Sequence, residues 1–83
     1  MNQKLYYVYI LRSLSNPDRY YTGRTRDPET RLADHSSGKS PHSKELRPWQ
    51  IKNLIAFSDS TKAISFERYL KSRSGRTFAK KRL

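Results

Sequence analysis

A single carboxylate interrupts the apolar face of the last predicted helix. Glu67 lies four residues after Ala63 and three before Leu70, so all three share one side of a helix. Burying an ionised carboxylate on such a face is costly unless a cation meets it. Two interpretations stay open: a structural ion pair with one of the many lysines and arginines, or a metal ligand or catalytic acid.

A second pair of residues that could take part in catalysis or binding lies on an earlier predicted helix. Arg31 and His35 are spaced i, i+4 and project from one face. A guanidinium held on such a platform can bind a phosphate through two hydrogen bonds. Charged pairs on solvated helix surfaces are equally familiar, so the spacing alone does not distinguish a site from a surface.

The tyrosines form a third candidate group. Five of the six lie in residues 6–23, as the two clusters YYVY and YYTG. A hairpin with Arg12 opposite Asp18 is the predicted register. It places Tyr9 opposite Tyr21, with the two side chains about 5 Å apart. Two hydroxyls could then share one site, although cross-strand aromatic packing is the plainer interpretation.

Two strands are predicted to position these tyrosines. Residues 5–12 are β-branched and aromatic with apolar side chains on both faces, which indicates a central strand. The turn residues SLSNPD follow, and residues 19–23 form the returning strand. A third strand is expected over residues 49–57, where apolar residues partly alternate.

The first helix is predicted over residues 28–37. Asp27 is a suitable N-cap and Gly38 a suitable stop, and Leu32 with Ala33 forms a narrow apolar stripe. A loop or short irregular helix follows, and its His42 is expected to contact phosphate or lie on a solvated surface.

The last helix begins at the capping residues after the third strand and is predicted to end at Gly75. A basic tail with Phe78 as its aromatic anchor completes the chain. The order strand, strand, helix, loop or short helix, strand, helix predicts an α+β layer fold, with a small sheet covered by helices. Residues 1–83 are expected to form one domain.

The charge balance points to a polyanionic partner. The chain has 18 lysines and arginines against 7 acidic residues, a formal net charge of +11. Nucleic acid is the leading partner for such a chain. Without cysteine, disulfides and thiolate metal sites are excluded. The apolar run LYYVYIL is too short to span a membrane and lacks a cleavage signal, so a cytoplasmic protein without a membrane partner is expected.

The motifs, taken in order, resemble the GIY-YIG nuclease superfamily. YVY at 7–9 and YTG at 21–23 are similar to its paired signature, and RLADHSSGK, RPW and FERYLKSRSG follow in order over nearly the whole chain. More narrowly, the chain resembles small stand-alone bacterial proteins of the UvrC–intron-endonuclease type. The resemblance implies an α/β sandwich with a three-stranded antiparallel sheet.

The resemblance also implies a set of site residues. Tyr9 matches the tyrosine of the first signature half and Tyr21 that of the second. Arg31 matches the helix arginine, His35 the histidine one turn later, and Glu67 the single metal-binding glutamate.

The chain also departs from the family pattern. Tyr7 and Val8 replace the first Gly and Ile of the signature, Thr22 replaces the second Ile, and no asparagine follows Glu67, where several family members have one.

The implied activity is that of a metal-dependent endonuclease hydrolysing phosphodiester bonds, with DNA favoured and little sequence specificity. Glu67 would hold Mg²⁺ or Mn²⁺, Arg31 would stabilise the phosphate, and Tyr9 would orient or deprotonate water. Tyr21 would assist by hydrogen bonding and His35 would relay the proton. A base role for Tyr9 needs cations that lower its pKa from about 10.

Binding is expected to be electrostatic, through basic side chains along the chain. Those predicted to contact nucleic acid are Arg24, Arg26, Lys39, Lys44, Arg68, Lys71, Arg73 and Arg76. No small-molecule cofactor is expected, and the sequence assigns no protein partner. The alternative is a non-catalytic basic nucleic-acid-binding protein, which explains the charge without needing Glu67.

Overall fold

A computed structural model describes residues 4–39 and 43–83 of the chain. Over these residues, three strands, three α-helices and one short 3-10 helix are formed. In chain order they are β1 (Tyr6–Ser13), β2 (Tyr20–Thr25), α1 (Pro28–Ser37), the 3-10 helix (Lys44–Leu46), β3 (Trp49–Phe57), α2 (Ser60–Lys71) and α3 (Arg73–Arg82).

The strands form one antiparallel sheet in the order β2-β1-β3. β1 is central, as its two apolar faces predict, because alternate side chains must be buried on opposite sides. Val8 and Ile10 are buried on one side, and Tyr9 and Leu11 are buried on the other. The predicted α+β fold, a three-stranded antiparallel sheet flanked by helices, is confirmed.

Each sheet face has its own core. On one face, β1 packs against α2 through Ala63 and Leu70, with Phe78 of α3 partly buried beside them. On the other face, β1 packs with Trp49 and with Leu32 of α1. The sheet therefore lies between α1 and the α2–α3 pair, which is how one chain can bring side chains from several elements to a common edge.

Helix α1 has the predicted bounds. The Asp27 side chain accepts a hydrogen bond from the Thr30 amide at 3.2 Å, and Gly38 ends the helix with φ 87°. This left-handed conformation suits glycine. The predicted apolar stripe is only half right: Ala33 is exposed, and the buried residue of the helix is His35.

The predicted end of the last helix at Gly75 is wrong. Helix α2 ends at Lys71, and Gly75 lies in the first turn of α3, where its amide donates to Ser72 Oγ at 3.1 Å. A Cβ on Gly75 would lie 2.7 Å from the Leu70 Cα. The glycine therefore lets α3 begin directly against the end of α2, and the predicted basic tail is a helix. Phe78 is its core anchor, as predicted.

In the part of the chain that the structure describes, no helix is both long and apolar enough to cross a membrane.

Candidate active site

A cleft of about 430 Å³ is lined by β1, β2, α1 and α2. Four of the five predicted site residues lie on its wall: Tyr9, Tyr21, Arg31 and Glu67. The fifth, His35, is fully buried and hydrogen-bonded to Tyr9. Residues from four different elements thus meet at one place, although they are spread over almost sixty positions of the sequence.

The hairpin register that was predicted to join the tyrosines is wrong by two residues. Tyr9 pairs with Gly23, and Leu11 pairs with Tyr21. The loop has the assumed length but begins one residue later, since the Ser13 amide donates a hydrogen bond to the Arg19 carbonyl. A shift of two residues keeps each side chain on its original face. Tyr9 and Tyr21 are therefore diagonal neighbours, with stacked rings whose centroids lie 6.3 Å apart.

Gly23 makes this arrangement possible. A Cβ at that position would lie 2.6 Å from Cζ of Tyr9 and would also clash with its hydroxyl. The Tyr9 ring therefore lies across the glycine of the YTG motif. Sequence reasoning did not assign this role, although a glycine inside a strand often marks a close approach of another group.

Behind the tyrosines lies a chain of buried hydrogen bonds. Tyr9 Oη lies 3.2 Å from His35 Nε2, and His35 Nδ1 lies 2.6 Å from Ser43 Oγ. Ser43 is itself buried, and its carbonyl accepts from Trp49 Nε1 at 3.0 Å. Ser43 was missed by sequence reasoning, since nothing in its spacing from His35 marks it as a partner.

The two central groups in this series of hydrogen bonds, Tyr9 and His35, are both neutral near pH 7. Burial lowers the pKa of His35, and the charge of Arg31 acts in the same direction. Burial raises the pKa of Tyr9, and the opposing effect of the Arg31 guanidinium is smaller. The cations of the protein alone therefore do not lower the Tyr9 pKa below its ordinary value. A neutral imidazole has one free acceptor nitrogen, so His35 can take a proton from Tyr9.

Glu67 is 9% exposed and lies between two cations. Arg24 Nε donates to its Oε1 at 3.1 Å, and Lys71 Nζ lies 2.6 Å from its Oε2. Burial alone would raise the pKa of Glu67, but the hydrogen bonds and charges of Lys71 and Arg24 outweigh it and lower the pKa. The carboxylate is therefore ionised. The ion-pair interpretation predicts these contacts, and the same carboxylate lies on the cleft wall, as the ligand interpretation requires.

Arg31 reaches the cleft from α1. Its only ion pair within the described residues is a loose one, with Nη1 3.8 Å from Asp34 Oδ2. The side chain is less than half exposed, so its guanidinium stays close to the tyrosines and can bind an incoming anion.

The basic residues predicted to bind nucleic acid are not all near this cleft. Arg24, Arg26 and Lys71 line it, and Arg76 lines a second groove that also includes Lys71. The remaining four are exposed and line neither cavity: Lys39, Lys44, Arg68 and Arg73. His42 lies outside the described residues.

Glu67 fits a divalent cation through the chemistry of its donor atoms. Residues 4–39 and 43–83 contain no cluster of three His, Asp or Glu side chains that could hold a metal by themselves. Mg²⁺, however, is commonly bound by one or two carboxylates with waters and substrate oxygens. An ionised carboxylate on a cleft with room for several waters meets that requirement. The two cations on Glu67 are about half exposed and can move away from it.

An ionised glutamate, an arginine and a tyrosine–histidine pair around one cleft define a site equipped for phosphodiester chemistry. The sequence matches the model of the GIY-YIG catalytic domain over residues 5–82, and the chain belongs to that family.

Several curated fungal proteins are similar to this chain. The structure-specific endonuclease subunit slx1 of Talaromyces marneffei is 37% identical over 68 residues, covering 75% of this chain and 18% of the relative. The SLX1 subunit of Podospora anserina is 41% identical over 69 residues, covering 76% of this chain and 20% of the relative. The SLX1 subunit of Chaetomium globosum is 39% identical over 69 residues, covering 76% of this chain and 21% of the relative. The chain thus spans about a fifth of the length of these relatives.

Proposed function

We propose that this domain is a metal-dependent endonuclease that hydrolyses phosphodiester bonds in nucleic acid, with DNA as the favoured substrate. The observation that carries the proposal is the cleft itself, where Tyr9, Arg31 and Glu67 meet with His35 directly behind Tyr9. Membership of the GIY-YIG family and similarity to proteins named as endonuclease subunits support it.

In this proposal Tyr9 and His35 move the proton of the attacking water. The water donates a hydrogen bond to Tyr9 Oη, which passes its own proton to His35 Nε2 as it accepts the proton of the water. His35 is suited to this step because its pKa is lowered, so the ring is neutral and can accept. The step requires the tautomer in which Nδ1–H donates to Ser43 Oγ and Nε2 is left unprotonated to accept.

Arg31 and Tyr21 act on the phosphate in the same proposal. The Arg31 guanidinium binds the non-bridging oxygens and stabilises the charge that grows on them in the transition state. Tyr21 stacks on Tyr9 and lies close to His35, with ring centroids 4.5 Å apart, so it holds both rings in place and offers a hydroxyl at the cleft.

Glu67 would hold Mg²⁺ or Mn²⁺ when the cation is present. Such a cation supplies Lewis-acid stabilisation of the leaving oxygen. Arg24 and Lys71 would then be free to pair with phosphates.

The proposal also extends to a narrower subfamily and to a partner protein. The order of five motif strings supports the narrower kinship with small bacterial proteins of the UvrC–intron-endonuclease type, whereas the curated relatives quoted above are fungal. Those relatives are named as subunits, which supports a partner protein that supplies specificity to a domain with little of its own.

The proposal is tested by incubating the protein with a panel of labelled nucleic acids. Duplex, single-stranded and branched DNA and a matched RNA are each incubated with EDTA, Mg²⁺ or Mn²⁺. Cleavage of at least one substrate with metal, and none with EDTA, is expected. Binding to the panel without cleavage under any condition would instead favour a basic nucleic-acid-binding protein.

A further inference from the structure

A second groove adjoins the cleft and is lined by residues of all three strands and of helices α2 and α3. It has a volume of about 830 Å³ and shares Tyr21 and Lys71 with the cleft. Its charged wall residues are five cations and one acid, namely Arg19, Lys52, Lys71, Arg76, Lys80 and Asp18. A groove with this charge balance attracts an anionic chain rather than a neutral ligand.

One row of side chains on β2 leads from the cleft, which Arg24 lines, into the groove, which Thr22 and Tyr20 line. Tyr20, Thr22 and Arg24 occupy alternate positions and therefore share a face of the strand. Arg24, at one end, donates to Glu67, and Tyr20 lies at the other end, about 13 Å away at the usual rise per residue. The row of side chains thus leads from the proposed metal ligand in the cleft to an aromatic ring in the groove.

Tyr20 is unusual for a large aromatic residue. Its side chain is 50% exposed, and it belongs to neither core of the sheet. The Lys52 ammonium lies 5.8 Å from the centroid of its ring. An exposed aromatic ring among cations is the combination on which single-stranded nucleic acids bind, because bases stack on the ring while the cations follow the phosphates.

Helix α3 supplies the opposite wall. Arg76 and Lys80 are spaced i, i+4, so both project from the same face of the helix into the groove. The neighbouring Lys81 is exposed but does not line the groove. The α3 cations and the Tyr20 ring therefore offer an extended anion both charge and a stacking surface.

We propose that this groove binds a single-stranded segment of the substrate, with an unpaired base stacked on Tyr20 and the phosphates directed toward the cleft. The inference rests on the proposed nuclease function and narrows its substrate class to nucleic acids with an unpaired segment beside the cleavage point. A duplex fits the observation less well, because neighbouring base pairs cover the faces that Tyr20 would stack on.

The test measures binding alone, by fluorescence anisotropy of a labelled oligo(dT) and a labelled hairpin duplex without metal. Tyr20→Ala should weaken oligo(dT) binding between about fivefold and a hundredfold, the range expected for one lost stacked base. Tyr20→Phe, which keeps the ring, should bind oligo(dT) as the wild type does. Hairpin binding should be the same for all three proteins, and melting curves confirm that each is folded.

A second comparison tests the groove by charge. Lys80→Gln should weaken oligo(dT) binding more than Lys81→Gln, although the two variants remove the same charge from adjacent positions. Equal losses in the lysine variants, or wild-type oligo(dT) binding by Tyr20→Ala, would overturn the inference. An equal loss of hairpin binding in Tyr20→Ala would also overturn it. In a competition experiment, displacement of labelled oligo(dT) by poly-glutamate but not by unlabelled oligo(dT) would overturn it as well.

These outcomes are independent of catalysis. Tyr20-dependent binding by a protein that cleaves nothing would support the groove and contradict the proposed function. Cleavage that survives Tyr20→Ala with unchanged oligo(dT) binding would support the function and contradict the groove.

Discussion

Lys71 and Glu67 lie one helical turn apart on α2, with Nζ 2.6 Å from Oε2. This contact, together with Arg24 on the other oxygen, keeps the carboxylate ionised while occupying both of the atoms that a metal would use. A divalent cation must therefore compete with two of the protein's own cations until phosphates draw them away.

Lys71→Met is accordingly expected to bind Mn²⁺ more tightly than the wild type in the absence of nucleic acid. A half-exposed ion pair is worth up to about 1 kcal/mol, so the gain should be about twofold to fivefold. The signal of free Mn²⁺ in electron paramagnetic resonance measures it. Lys62→Met removes an exposed charge from the same helix and serves as the control. An equal gain in both variants, or none in Lys71→Met, would show that Lys71 does not compete for the site.

Tyr9→Phe should lower the cleavage rate by about 10²- to 10⁴-fold, the usual contribution of a group that transfers a proton. It should also lower the free energy of unfolding by about 1 kcal/mol, because His35 Nε2 loses its buried partner. Affinity for nucleic acid should not change. Tyr20→Phe is the control and should cleave normally. A wild-type rate for Tyr9→Phe would mean that Tyr9 serves only to pack the sheet.

His35 makes stability depend on pH in a predictable direction. Its folded pKa lies below the ordinary value of 6.5, so the unfolded chain takes up the proton first as the pH falls. The stabilisation is fully present above pH 6.5 and is lost as the pH falls through the lowered folded pKa. Melting temperatures between pH 7 and pH 5 should therefore decline less for His35→Asn than for the wild type. Equal declines in melting temperature for the two proteins would show that a group other than His35 causes the acid sensitivity.

Gly23→Ala should disturb the site without replacing any proposed catalytic residue. The added methyl would meet the Tyr9 ring, so the ring or the strand must move. Overpacking of this kind costs about 1–3 kcal/mol of stability. Cleavage should fall with it, because Tyr9 would lose its alignment with His35. Chemical denaturation and a cleavage assay measure both effects. An unchanged rate in Gly23→Ala would contradict a need for the observed position of Tyr9.

Elements with local signals were predictable from the sequence. Helix α1 and strand β3 have the predicted bounds, because capping residues and turn residues act over a few positions. The hairpin register was not predictable in the same way. Ser13 Oγ accepts from the Asn16 amide and donates to the Leu46 carbonyl, so the loop is shaped partly by a contact far along the chain.

The residues of the candidate site also divide into those with a local signal in the sequence and those without one. Glu67 is conspicuous because a carboxylate on an apolar face violates a local rule, and Arg31 with His35 follows a helical spacing. Ser43 and Gly23 contribute only through contacts that the fold creates, with His35 and with the Tyr9 ring. The role of Gly75 was not predictable, because a glycine that permits close helix packing has the same appearance in sequence as one that ends a helix.

The most direct test of the central claim is Glu67→Gln, with metal-dependent cleavage, nucleic-acid binding and thermal melting measured on one preparation. Glutamine keeps the shape of the side chain but cannot replace an ionised metal ligand. Melting should change little, since Arg24 and Lys71 are about half exposed and return to water when the charge is removed. Cleavage with Mg²⁺ or Mn²⁺ should be abolished while binding stays equal or becomes tighter. A folded Glu67→Gln protein that still cleaves at the wild-type rate with metal would contradict the account.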